Sequence, residues 1–199
     1  MRILLCFIIM MAGTGIKAQP AWHQVKDKNN IKVYTSESDS SDIKHIKVTA
    51  LFDGSLDKIK AIFLDIGKQK DWVYGTKQSY VLKETSEQDL LYYVETSLPW
   101  PLSNRDIAID MKFDENKIDN TMVIRTVGVP SAIPVKKGIV RVPHFTGDWY
   151  FKETGNNKLS IEYYLFVDPG GSLPAWVVNI FISRGPYETF SKLSGLLNQ

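Results

Sequence analysis

From Ile43 to Gly54 the chain alternates, with Ile46, Val48, Ala50 and Phe52 set against Lys47, Thr49 and Leu51. A period of two predicts a half-buried strand that ends at Asp53-Gly54. Upstream, residues 22–35 read as a short helical turn or strand, a polar turn at Asn29-Asn30, and a strand over Ile31-Lys32-Val33-Tyr34-Thr35; residues 36–42 are a polar loop. At Ser55 the spacing changes. Leu56, Ile59, Ile62 or Phe63, and Ile66 recur every three to four residues behind a cap at Ser55 or Asp57, which predicts a helix stopping near Gly67. Residues 68–77 are read as a connection. Residues 79–84 and 89–98 then form a hairpin around residues 86–88, and Pro99 and Pro101 end its ladder.

The strand opened by Asn104-Arg105-Asp106 puts Ile107, Ile109, Met111 and Phe113 on one face with Arg105 in register, and Asp106, Asp110 and Lys112 on the other. Residues 122–127 pair back onto it. Residues 128–138, with Pro130 and Pro134, form an irregular loop, and residues 139–142 and 147–151 read as one strand broken by Pro143. Leu159, Ile161, Tyr163, Leu165 and Val167 give the last alternation. A turn at Pro169-Gly170-Gly171 follows, with Ser172 as N-cap, Pro174 in the first turn and a helix from about Leu173. Its first half is apolar nearly all round, which predicts burial on most sides. Gly185-Pro186 weakens or bends it, and Phe190, Leu193 and Leu197 mark a one-sided second half. About eight strands in an antiparallel meander, one early helix and one long terminal helix make an α+β fold: a curved sheet with one apolar face, gripping the C-terminal helix.

Composition narrows the function. The chain has 199 residues, 44% hydrophobic, enough for one domain with a substantial core. Met1-Arg2, the apolar run from Ile3 to Ala12, and Ile16-Lys17-Ala18 lay out a signal peptide over residues 1–18, with residues 19–199 as the domain and an exported, periplasmic or secreted, product. The run is far shorter than the roughly 20 apolar residues a membrane span requires. Cleavage after Ala18 removes the only cysteine, Cys6, and lowers the basic residues from 24 to 22 against 22 acidic ones. A neutral, thiol-free chain has no cysteine metal site and no thiolate nucleophile, and it lacks the basic footprint that nucleic acid demands. His23, His45 and His144 are the histidines, none in H-E-x-x-H spacing, and no G-x-S-x-G or phosphate-cradling loop occurs. Neither a metal nor a cofactor is expected.

Five motifs, in order, carry a family likeness: Ile31-Lys32-Val33-Tyr34, Asp71-Trp72, Pro99-Trp100-Pro101-Leu102-Ser103-Asn104-Arg105-Asp106, Gly147-Asp148-Trp149, and Val167-Asp168-Pro169-Gly170-Gly171-Ser172-Leu173-Pro174-Ala175-Trp176. Together they resemble the START domain, the steroidogenic-acute-regulatory-protein-related lipid transfer domain. The resemblance implies a helix-grip fold with a hydrophobic tunnel between sheet and C-terminal helix that holds one lipid, sterol or other apolar ligand. It also lifts Ile107, Ile109, Met111, Tyr163, Leu165, Val177 and Phe181 from plain core to expected tunnel wall. In sterol-binding members an acid pairs with the arginine matching Arg105; the aligned residue here is Gln78, which can hydrogen-bond but cannot neutralise a charge. A guanidinium on an apolar strand face is costly to desolvate without a partner, so Arg105 is expected to meet a phosphate or carboxylate head group, or another acid such as Glu95. Trp72, Trp100 and Trp149 read as packing or interface residues. Residues 129–138 and Gly185-Pro186 are candidate gates. The expected activity is non-enzymatic binding and transfer of one hydrophobic ligand by a monomer that touches membranes transiently. An enzyme of cyclase or hydrolase type on the same fold, with His144 as base, is the alternative, and an interaction module with a filled core is a second.

Overall fold

A computed structural model describes residues 21–38, 41–86 and 88–199. The leader expected over residues 1–18 lies outside the described residues. Strands β1 (His23–Lys28), β2 (Ile31–Ser38) and β3 (Ser41–Asp53) form one antiparallel run. Extended backbone continues to Ser38 and resumes at Ser41, so the polar loop expected over residues 36–42 is mostly strand. Helix α1 (Leu56–Leu64) follows, capped by Ser55, whose hydroxyl accepts from the Lys58 N–H. The expected connection after it contains a 3-10 turn, Ile66–Lys68, and a single helical turn, α2 (Gln69–Trp72).

A second run contains β4 (Thr76–Ser86), β5 (Asp89–Thr96), β6 (Asn104–Asn116), β7 (Thr121–Gly128), β8 (Ile139–Arg141), β9 (His144–Glu153) and β10 (Lys158–Asp168). The described residues thus form ten strands, and nine lie in the order β1-β2-β3-β10-β9-β7-β6-β5-β4. This is not a simple meander, because β10 returns to pair with β3 and joins the two runs. β8 and β9 are not one strand broken by Pro143. β8 runs parallel to the start of β6 beyond the point where β7 leaves it, whereas β9 pairs antiparallel with β7 and β10.

The chain ends in α3 (Ala175–Asn179), a π-helical turn over Ile180–Arg184, and α4 (Gly185–Leu197). Pro174, not Ser172, occupies the N-cap and makes no side-chain cap bond, so the helix starts two residues later than expected. Pro186 has no N–H for the carbonyl four residues back, and the backbone widens into the π-helical turn just before it. In α4, Phe190, Leu193 and Leu197 are buried against the sheet, and Lys58 Nζ donates to the Leu197 carbonyl at 2.8 Å, satisfying one terminal acceptor. The Phe190 ring lies 5.3 Å from that of Trp149, which stacks at 3.8 Å on Tyr163. The first half of the helix departs from the expectation of burial on most sides. Val177 is buried, but Trp176 is 49% exposed and Val178 37%.

Candidate ligand cavity

Strand parity decides which side chains reach the space under the terminal helix. Arg105, Ile107 and Ile109 on β6, Val94 and Tyr92 on β5, and Tyr163, Leu165 and Val167 on β10 all line a cavity of about 690 Å³. Phe181, Ile182 and Pro186 close it from the widened turn and the start of α4, and Gln69, Trp72 and Tyr74 from the crossing before β4. The wall is mainly apolar, and its volume lies in the range of pockets that hold one small molecule. A smaller cleft of about 310 Å³ lies between Leu98-Pro99 and Val177, Ile180 and Phe181; it shares Tyr74, Leu98 and Phe181 with the main cavity. The segment after β5 and the first turns of the terminal helix therefore form a seam at one end of the cavity.

Six of the nine residues singled out from sequence stand in that wall: Arg105, Ile107, Ile109, Tyr163, Leu165 and Phe181. Three do not. Met111 shares the face of Ile107 and Ile109 but is fully buried in the hydrophobic core beyond the cavity. Val177 faces the smaller cleft, and Val178 takes its place on the main cavity. Gln78 is on the opposite face of the sheet. It pairs with Glu95, which pairs with Asp106, so all three point away from the helix while Arg105, one residue before Asp106, points toward it. Glu95 is therefore not the partner of Arg105 either. Lys77, Gln78 and Asn104 donate to its carboxylate at 2.9, 2.6 and 2.7 Å. Burial disfavours the Glu95 charge, yet these three bonds outweigh it and hold the pKa below the ordinary carboxylate value.

Arg105 is buried, and its partners are backbone carbonyls. Nη1 donates to Ser103 O at 2.6 Å, Nη2 to Gly170 O at 3.2 Å and Nε to Pro169 O at 3.4 Å. The glycine turn makes this possible: the Asp168 carboxylate accepts from the Gly170 N–H at 2.9 Å, and Gly170 and Gly171 have φ of 66° and 64°. A Cβ at Gly170 would meet Arg141 O at 3.0 Å. Three of the five guanidinium N–H groups are engaged, and among the described residues no carboxylate forms a salt bridge with Arg105. Burial lowers its pKa from an ordinary value so high that the charge remains. The cavity thus holds a buried cation in no direct salt bridge among the described residues, although the Asp168 carboxylate stands in the same wall.

The candidate gate over residues 129–138 is elsewhere. None of these residues walls the cavity; the segment covers the outer face, where Lys136 Nζ lies 3.7 Å above the Tyr93 ring. Arg141 fastens it by donating to the carbonyls of Pro130, Ile133 and Pro134 and by pairing with Asp106 at 2.7 Å. His144, the suggested base, is exposed and off the cavity wall. Gln69 and Trp72 belong to the wall and were missed as site residues, since a buried glutamine three residues from a tryptophan in a four-residue helix leaves no pattern in the sequence.

Known proteins share this architecture. An uncharacterized protein of Pseudomonas aeruginosa is 28% identical over 193 residues, covering 97% of this chain and 94% of its own. The phosphatidylcholine transfer protein of Bos taurus is 26% identical over 83% of this chain and 78% of its own length. The crystal structure of the STAR-related lipid transfer protein from Xanthomonas axonopodis superposes with a TM-score of 0.81 at 28% identity, covering 89% of this chain and 99% of that one. The curved sheet around a C-terminal helix is the helix-grip fold. The START domain pattern itself matches residues 15–199, and the chain belongs to the START domain family.

Proposed function

We propose that this protein binds one amphiphilic lipid in the cavity between sheet and terminal helix and carries it between membranes, without chemical conversion. Membership of a lipid-transfer family supports lipid binding in general. One observation carries the finer reading: a mainly apolar cavity of about 690 Å³ contains a buried arginine that forms no salt bridge with a carboxylate among the described residues. The apolar wall takes hydrocarbon at roughly 0.8 kcal/mol per CH₂ removed from water, so one long chain gains on the order of 10 kcal/mol before ordering costs. Arg105 takes the anionic oxygen of the head group, a phosphate or carboxylate.

The ligand passes through the seam between Leu98-Pro99 and α3. Trp100, 91% exposed, follows the first lip, and Trp176 stands on the second. Tryptophan at such a rim suits the membrane–water boundary, so the seam is the side that touches membranes. We further propose that residues 1–18 are removed and the carrier acts as a monomer outside the cytoplasm. The test is native mass spectrometry of the protein purified from its own host without detergent, followed by extraction of the bound molecule and N-terminal analysis. A stoichiometric lipid on a chain starting at Gln19 is expected. A bare protein that takes up neither fluorescent lipid nor sterol overturns the carrier reading, and a retained leader in the cytoplasmic fraction overturns export.

A further inference from the structure

Among the described residues, the indole N–H of Trp72 is the one buried side-chain polar atom with no hydrogen-bond partner. Trp72 belongs to the cavity wall. Its ring lies 5.2 Å from that of Phe63 and 6.4 Å from that of Trp149, contacts that supply no acceptor. A buried donor left unmet bears the full desolvation of the group, so an acceptor offered by the cavity's occupant would stabilise the complex. Two further polar groups are close in the fold. Gln69, three residues earlier and on the same side of α2, is buried, walls the cavity, and stands near the phenol of Tyr92, which walls it too.

These groups are far from the arginine. Tyr92 pairs with Ile109 and Thr96 with Arg105, so the two levels are four residues apart on both strands, about 13 Å at the usual rise per residue. The wall between them carries Val94 and Ile107. Building on the lipid reading above, we propose that Trp72, Gln69 and Tyr92 form a second polar subsite that receives a neutral oxygen of the ligand, a hydroxyl or carbonyl. The Trp72 N–H donates to that oxygen, and the Gln69 amide can meet a hydroxyl proton. The ligand class is then an amphiphile with an anionic group at Arg105 and an oxygen well down its hydrocarbon part.

Two probes separate this from hydrocarbon binding alone. Octadecanoate and 12-hydroxyoctadecanoate share chain and carboxylate and differ by one remote oxygen. Titration calorimetry of the purified, delipidated protein is expected to give a preference of roughly three- to tenfold for the hydroxylated probe, the value of one net buried hydrogen bond. Trp72→Phe, which keeps a ring against Phe63, should bring the ratio of the two affinities close to one. A second reading needs no variant: in ¹H–¹⁵N spectra of the wild type, one indole N–H resonance should move downfield with the hydroxylated probe and stay with the other. Equal affinities in the wild type, or a preference that survives Trp72→Phe, overturn the subsite and leave the lipid reading standing. Binding of neither probe overturns both.

Discussion

Replacing Arg141 by methionine tests whether the segment over residues 129–138 is a fixed strap or a gate. The guanidinium pairs with Asp106 at 2.7 Å, Asp106 is 1% exposed, and its other carboxylate contact is the Tyr93 hydroxyl at 3.3 Å. Methionine keeps much of the apolar stem but leaves a buried carboxylate without a counter-charge, which costs about 3–5 kcal/mol. The carbonyls of Pro130, Ile133 and Pro134 lose their donor too, although Pro134 is exposed and water can replace it there. Against a typical domain stability of about 5–15 kcal/mol this is a large fraction. With an m-value of about 2 kcal/mol/M, urea unfolding followed by tryptophan fluorescence should shift its midpoint down by about 2 M. Asp106→Asn in the same background should recover part of the loss, since it removes the orphaned charge. Lipid release from the variant, measured below its unfolding transition, should keep the wild-type rate because the strap is on the far face of the sheet. A midpoint shift under about 0.5 M, or release accelerated at unchanged stability, would refute the assignment.

Four other outcomes follow from the geometry. Val94→Trp projects an indole from β5 into the cavity; lipid uptake should fall at least about tenfold, while stability changes by under about 1.5 kcal/mol because the ring enters a cavity and not packed core. Phe190→Ala removes a fully buried ring from the Trp149 and Tyr163 stack and should cost about 3–5 kcal/mol in urea unfolding. Glu95 has a folded pKa below its unfolded value near ~4.3, so its stabilisation is present above that value and is lost as pH falls through the folded one. Glu95→Gln should therefore flatten the loss of stability between about pH 5 and pH 3, seen by thermal melts across that range. His144→Ala should leave lipid uptake and transfer at wild-type levels, because the imidazole is exposed and off the cavity wall; loss of either would revive an enzymatic reading.

What could be read from the chain divides along a physical line between local and long-range causes. Ile46, Val48, Ala50 and Phe52 are all buried as their alternation required, and Ser55 caps α1, because period and cap chemistry act over a few residues. The same parity put Arg105 on the inner face correctly. Applied to β4 it would have exposed the error at Gln78, whose face follows from its pairing with Glu95, but bulges in the β4–β5 register hide that from a single strand. The carbonyl partners of Arg105 come from Ser103 and from Pro169-Gly170, more than sixty residues apart in sequence, and no local pattern announces their convergence. Asp106 shows the same limit from the other side. Alternation assigns it to the outward face, and it is there, yet it is buried because Arg141 pulls a distant loop across it. Arg105 and Asp106 are adjacent residues on opposite faces of one strand: Asp106 anchors the outer strap through Arg141, while strand parity turns Arg105 toward the cavity under the terminal helix. Any variant that loosens Asp106 should therefore lower stability and leave head-group selection at Arg105 at its wild-type ratio, because the two side chains share no contact.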